Sequence, residues 1–241
     1  EKVILVDIYD ETSVIIEYNL NKYASEGNEK KVKNWENVKG NIEVSFEPYA
    51  TCEDLISLYT VKFNETPDNI ELLRKIVKIL DKKDCTESDL FIQALEKLVS
   101  IEPEPSASST ELLAKLYIKR EQYDLATKYL QQAIGLQQDN NKRADDHYLL
   151  ANVYFQQKKY SQARANCYDV LKIRPEDGKA YILIGDMYAA SAKDCGDNDL
   201  TTKIAYWVAV DKYYKAKSVD PSVSELATTK INTFSQYFPL T

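Results

Sequence analysis

The sequence predicts an all-α fold of antiparallel helix pairs, and three observations predict it. First, only 6 of 241 residues are glycine, against an ordinary usage of ~7%. That is too few for the turns of an all-β fold or for glycine loops that cradle phosphate. Second, the prolines keep a period. Pro67, Pro103 and Pro175 are separated by 36 and then 72 residues, and Pro221 follows after 46. A proline after an apolar helical run stops that helix and is tolerated at the start of the next. Third, the stretches between these prolines repeat one spacing of bulky and small residues, which marks an array of similar supersecondary units.

Taken in chain order, residues ~1–25 read as one helix, with Leu5, Ile8, Thr12, Ile15 and Tyr23 roughly in period. Trp35, Val38, Ile42 and Phe46, followed by Leu55, Tyr59 and Pro67, read as a degenerate helix pair. Leu73, Ile76, Val77 and Leu80, then Phe91, Leu95, Leu98 and Pro103, form another pair around a long turn at Asp81–Ser88. The clearest copy is His147, Leu150, Ala151 and Tyr154, then Ala163, Cys167, Val170 and Pro175, with gaps of 3, 1, 3, 9, 4, 3 and 5. Tyr181, Ile184, Gly185, Tyr188, Ala209, Tyr213, Ala216 and Pro221 keep those gaps, except that 21 replaces 9. Thr110, Leu113, Ala114, Tyr117, Ala126, Leu130, Ala133 and Gln138 keep them all. Gaps of 3 and 4 place these side chains on one helix face. The gap of 9 spans a tight turn. The small residues allow close helix approach, and the tyrosines at 117, 154 and 188 fill the wedge. A pair cannot bury its apolar face alone, so pairs stack. Ser222–Phe238 reads as a final capping helix.

This pattern resembles the tetratricopeptide repeat (TPR), with three copies at ~107–140, 144–177 and 178–223. The expected organisation is residues 1–49 as N-terminal helices of a degenerate or partial repeat and 50–106 as divergent TPR-like helices. Residues 107–223 then hold three units, the last with an insertion at 190–202, and 224–241 the cap. The stretches PYATCEDLISLYTVKF, ILIGDMYAASAKDCGDNDL and VDKYYKAKSVDPSV also resemble TPR proteins of the Bacteroidetes type. The resemblance implies a right-handed superhelix whose concave face takes a peptide or partner helix. The residues it would project there are Glu111, Lys115 and Lys119, then Tyr148, Asn152 and Phe155, then Lys179, Ile182 and Asp186. Chaperone-binding TPR domains use a clamp of Lys, Asn and Arg for a terminal carboxylate. Here Glu111, Lys115, Leu149, Lys179 and Leu183 stand at the matching places, and only Lys179 fits. Such a clamp is not expected, because leucines cannot hydrogen-bond a carboxylate and Glu111 repels one.

The remaining residues exclude several functions. One histidine rules against a triad or a two-histidine metal site within this chain. His147 reads as a packing position in its repeat. A net charge of −7 argues against non-specific nucleic-acid binding, and no apolar run approaches a membrane span. The insertion at 190–202 carries Asp194, Cys195, Asp197 and Asp199, but not the EF-hand spacing. It reads as a polar loop that caps the next helix and packs Trp207, with partner contact as its alternative. Cys52 and Cys85 fall at turns of adjacent pairs, on one edge of the array, where an oxidising compartment would allow a disulfide. Cys167 takes a core place, and Cys195 is the more reactive thiol. The lysine runs at Lys30–Lys33, Lys82–Lys83 and Lys158–Lys159 read as solvated faces.

The expected function is a non-catalytic scaffold without cofactor or metal, binding a protein or peptide through the concave face. The alternatives are a structural spacer within a larger cell-envelope protein, or a partner to an enzyme on another chain or domain. From resemblance alone, a periplasmic or other extracytoplasmic setting is favoured over the cytoplasm.

Overall fold

The computed structural model describes residues 2–46, 51–194 and 199–238. Its described residues are helical throughout and form two compact units, Glu1–Pro103 and Glu104–Thr241. The first unit holds α1 (Lys2–Ser25), α2 (Glu29–Phe46), α3 (Cys52–Glu65), α4 (Ile70–Lys82) and α5 (Asp89–Ile101). The second holds α6 (Ala107–Lys119), α7 (Tyr123–Leu136), α8 (Asn140–Gln156), α9 (Tyr160–Ile173), α10 (Gly178–Ser191), α11 (Asp199–Val219) and α12 (Ser224–Ser235). A short 3-10 turn at Pro221–Val223 precedes α12.

Within the first unit, α1 and α2 form a hairpin. Gly27 turns the chain with φ +66°. The Gly27 and Asn28 amides donate to the Ala24 and Tyr23 carbonyls, which closes the end of α1. Here the structure departs from the spacing argument. Residues 35–46 were expected to pair with 55–67, but α2 packs chiefly on α1. The Trp35–Val38–Ile42 face defines a helix side without naming its partner. α3 starts on a capping box in which Thr51 and Asp54 satisfy each other's backbone amides. A disulfide between Cys52 and Cys85 fastens that start to the α4–α5 turn. α4 buries Leu73, Ile76 and Leu80, and α5 buries Phe91, Leu95 and Leu98, as their periodicity requires. A fully buried leucine of this kind contributes roughly 2 kcal/mol.

The second unit stacks the pairs α6–α7, α8–α9 and α10–α11. Ala114, Ala126, Ala151, Ala163 and Ala209 are fully buried at the helix crossings. Tyr117 stacks on Tyr129 with ring centres 5.6 Å apart, and the Gln131 amide donates to the Tyr154 hydroxyl at 3.1 Å. The scarcity of glycine has a concrete form here. The left-handed residues that end α4, α6 and α8 are Asp84, Glu121 and Lys158, with φ of 57°, 56° and 57°. In each case the next residue's amide reaches back to Leu80, Tyr117 or Tyr154. The reverse turn inside the pair is therefore repeated without the usual glycine. First helices begin instead on side-chain caps, from Asn69, Ser106, Asp139 and Asp177.

α12 closes the end of the second unit. Ile182, Tyr213, Val223, Ala227 and Ile231 form one core cluster. Phe234 stacks on Tyr206 and Tyr213, and Tyr206 on Tyr237 at 4.2 Å. The Trp207 indole donates to the Tyr237 carbonyl at 3.0 Å and meets Phe238 edge-on. Gly185 is required by this packing, since a β-carbon there would clash with Cε1 of the Tyr213 ring. That ring is fully buried and its hydroxyl is held by Asp186 at 2.8 Å. Gly185→Ala should therefore cost about 1–3 kcal/mol, the usual cost of overpacking. A thermal melt several degrees below wild type would show it, and an unchanged melt would contradict this packing.

Candidate partner-binding surface

The residues expected on the concave face lie on α6, α8 and α10 of the second unit. On α6, Lys115 and Glu111 form an i,i+4 ion pair at 2.5 Å, and Lys119 ends the helix. On α8, Tyr148 is half-buried, and burial raises its phenol pKa. The Asn152 amide donates to the Tyr148 carbonyl at 2.8 Å, so it braces its own helix. Phe155 packs at a tilt against Tyr160, with ring centres 5.7 Å apart. On α10, Lys179 is exposed. Ile182 is only 6% exposed and lies in the core cluster formed with α12. Asp186 accepts from the Tyr213 hydroxyl at 2.8 Å and from the Lys230 ammonium at 2.7 Å. The cap thus engages two of the nine residues.

Tyr148 and Lys179 meet in a cleft of about 450 Å³. Its other walls come from positions the repeat pattern does not single out. Asp145 belongs to α8, Arg174, Glu176 and Asp177 to the α9–α10 connection, and Asp220 and Ser222 to the connection before α12. Arg174 pairs with Asp145 at 2.8 Å and with Asp177 at 3.1 Å, while its Nε is buried without a hydrogen-bond partner. Asp220 accepts from the Ser222 hydroxyl at 2.6 Å, the Ser222 amide at 2.9 Å and the Gly178 amide at 3.2 Å. These bonds, led by the Ser222 hydroxyl, hold its carboxyl below the usual range. A β-carbon on Gly178 would fall 2.6 Å from the Asp220 Cβ, so glycine permits this close joint. The sequence signal was present in the acidic residues flanking the prolines, RPED and VDPS, which spacing alone marks only as helix ends.

A further residue missed by the repeat pattern is Asp146. It is fully buried, and no group is close enough and well enough aligned to make a full hydrogen bond to either carboxylate oxygen, the Gln137 side chain making only a weak approach. Burial first, and then Glu111 and Asp145, push its carboxyl up to about 6. Lys115 and the Gln137 side chain pull it the other way.

The other candidates are placed as follows. His147 Nδ1 lies 2.9 Å from Asn166 Oδ1, which joins α8 to α9. Cys167 is buried, and burial pushes its thiol up to about 12. Asp194 is exposed in the turn after α10, while Cys195 and Asp197 lie outside the described residues. Asp199 begins α11. Among the described residues, no group of three or more His, Cys, Asp or Glu converges to hold a metal ion. No helix among them is long and apolar enough to cross a membrane.

Stacked helix pairs with a solvated terminal helix define an all-α repeat protein. The sequence model of the family described as anaphase-promoting complex, cyclosome, subunit 3 matches residues 91–170. Two crystal structures of MamA are similar in fold, each at 21% identity. One has a TM-score of 0.51 over 86% of this chain and 96% of its own. The other has a TM-score of 0.52 over 90% and 96%. No curated protein matches the chain by sequence. The chain has an all-α helical repeat fold of the TPR-like kind.

Proposed function

We propose that the second unit is a non-catalytic docking platform for an extended peptide or helix of a protein partner, held along α6, α8 and α10. The meeting of Tyr148 and Lys179 in one cleft carries this reading. It offers an aromatic face beside charged groups, the combination peptide recognition uses. The cleft holds four carboxylates against two cations, and two of those carboxylates already face Arg174. That balance suits a partner segment with a basic residue next to an apolar one. The Cys52–Cys85 disulfide supports an oxidising compartment as the place of action.

The test is a peptide selected against the protein from a random display library. Tyr148→Ala should weaken its binding about tenfold or more, as loss of an aromatic anchor does. Lys179→Ala should weaken binding less. Unchanged binding in both variants, with loss on changes outside α6, α8 and α10, would favour the spacer reading instead.

A further inference from the structure

The first unit carries an apolar stripe that its own helices leave uncovered. α1 packs on α2 and α3. Ile16 is buried on that side, and Tyr9, Leu20 and Tyr23 are half-buried. Ile8, Glu11, Ile15, Tyr18 and Lys22 follow one another at gaps of 3, 4, 3 and 4, so they share the opposite face. All five are exposed. Ile8, Ile15 and Tyr18 are 55%, 56% and 66% exposed, and Val14 beside them is 60% exposed. Among the described residues, no other helix exposes as many large apolar side chains. The outer side of a surface helix is ordinarily polar, and a contiguous apolar one marks an interaction site. The polar side chains along its edge are turned back onto their own helix. The Thr12 hydroxyl and the Asn19 amide donate to the Ile8 and Ile15 carbonyls at 2.6 and 2.8 Å.

We propose that this stripe is a self-association surface, on which α1 lies antiparallel to α1 of a second copy of the chain. The charges within the stripe select that occupant. Residues at gaps of 3 and 4 form the facing layers of a helix pair. When Ile15 faces Tyr18 of the second copy, Glu11 faces its Lys22, because each lies 4 residues further out. The two-fold axis repeats both pairings, so the Ile–Tyr layers are closed at each end by opposite charges. A parallel pair would instead set Glu11 against Glu11 and Lys22 against Lys22, which repel. A partner helix of a single sign would leave one of the two charges facing its like. These exposed charges fix the register and add little affinity. Lys22 also lies 5.7 Å from the centre of the Tyr23 ring, an exposed contact of similarly small worth. The apolar side chains supply the affinity. The shared face is about 27 Å long and about 10 Å wide, well short of the roughly 800 Å² per partner of a standard interface. The dimer is therefore weak and concentration-dependent.

Analytical ultracentrifugation of the full chain, from about 1 μM to several hundred μM, tests the proposal. Wild type should pass from monomer towards dimer across that range. Ile15→Lys should weaken the dimer about tenfold or more, as loss of a central apolar contact does. Glu11→Lys and Lys22→Glu should each weaken it several-fold, because each sets like charges together twice. An equal mixture of those two variants should recover wild-type association, since every charge pair across that heterodimer is opposite. Tyr148→Ala should leave association unchanged, which separates this surface from the one in the second unit. If Ile15→Lys fails to fold by circular dichroism, the charge variants and their mixture carry the test. A monomer at every concentration would overturn the proposal, as would wild-type association in a folded Ile15→Lys. A mixture that associates no better than its separate components would also overturn it, because the contact would then not be an antiparallel pairing of α1.

Discussion

Replacing Cys52 and Cys85 by serine lowers the stability of the first unit by roughly 3–4 kcal/mol, the loop-closure value for a bridge of this span. The bond links residues 33 apart, so it removes considerable freedom from the unfolded chain. It also ties the start of α3 to the α4–α5 turn, in a unit where the expected pairing of α2 with α3 gives way to an α1–α2 hairpin. Cys85 is 5% exposed, so the bridge is also part of the packed core. Denaturant unfolding with and without reductant measures the effect. The two tryptophans make this readable, since Trp35 lies in the first unit and Trp207 in the second. The Trp35 transition should move and the Trp207 transition should not. Coincident midpoints with and without the bridge would contradict the assignment.

The second large effect has the opposite sign. Asp146→Asn should stabilise the second unit near neutral pH by up to about 3 kcal/mol, taking 1.36 kcal/mol per pH unit of displacement. The sign follows from the direction of the displacement. The native carboxyl takes its proton near pH 6, whereas the unfolded one does so near 3.8. Between these values the native state binds more protons, so stability falls as pH rises through the window. The penalty is fully present above about pH 6 and absent below 3.8. Wild type should therefore gain stability on mild acidification, through this group, while the asparagine variant should not. The two should converge near pH 4. Glu111, Asp145 and Lys115 are the charges that set the value. Parallel pH profiles for the two proteins would contradict a carboxyl raised by burial at this position.

These two predictions draw on different kinds of legibility. The helix pairs of the second unit were readable because their spacing is a physical requirement. Ala151 and Ala163, or Gly185 and Tyr213, must stand at fixed intervals for two helices to touch. The close approach at Gly185 follows directly from that register. The first unit was less readable, since Trp35, Val38 and Ile42 define a face that either neighbour could cover. The turns carried no glycine signal, because Asp84, Glu121 and Lys158 take the left-handed conformation instead.

The surface was legible in part for a related reason. Tyr148 and Lys179 followed from repeat positions, and the structure brings them together. Ile182 and Asp186 occupy equivalent positions, but α12 docks there, and that contact depends on residues such as Lys230, 44 positions away from Asp186. Arg174, Glu176 and Asp220 enter the cleft from connections, where no period exists to place them. Asp146 has no signature beyond an acidic doublet, and its burial is a product of the packed unit rather than of any local spacing.

The proposed function holds a partner on α6, α8 and α10 of the second unit. Hydrogen exchange of the full chain, with and without a saturating library-selected peptide, tests it most directly. Slowed exchange is expected in α8 around Tyr148–Phe155 and at the start of α10 around Lys179, with both effects lost in Tyr148→Ala. Protection confined to α7, α9 and α11, or unaffected by Tyr148→Ala, would contradict it.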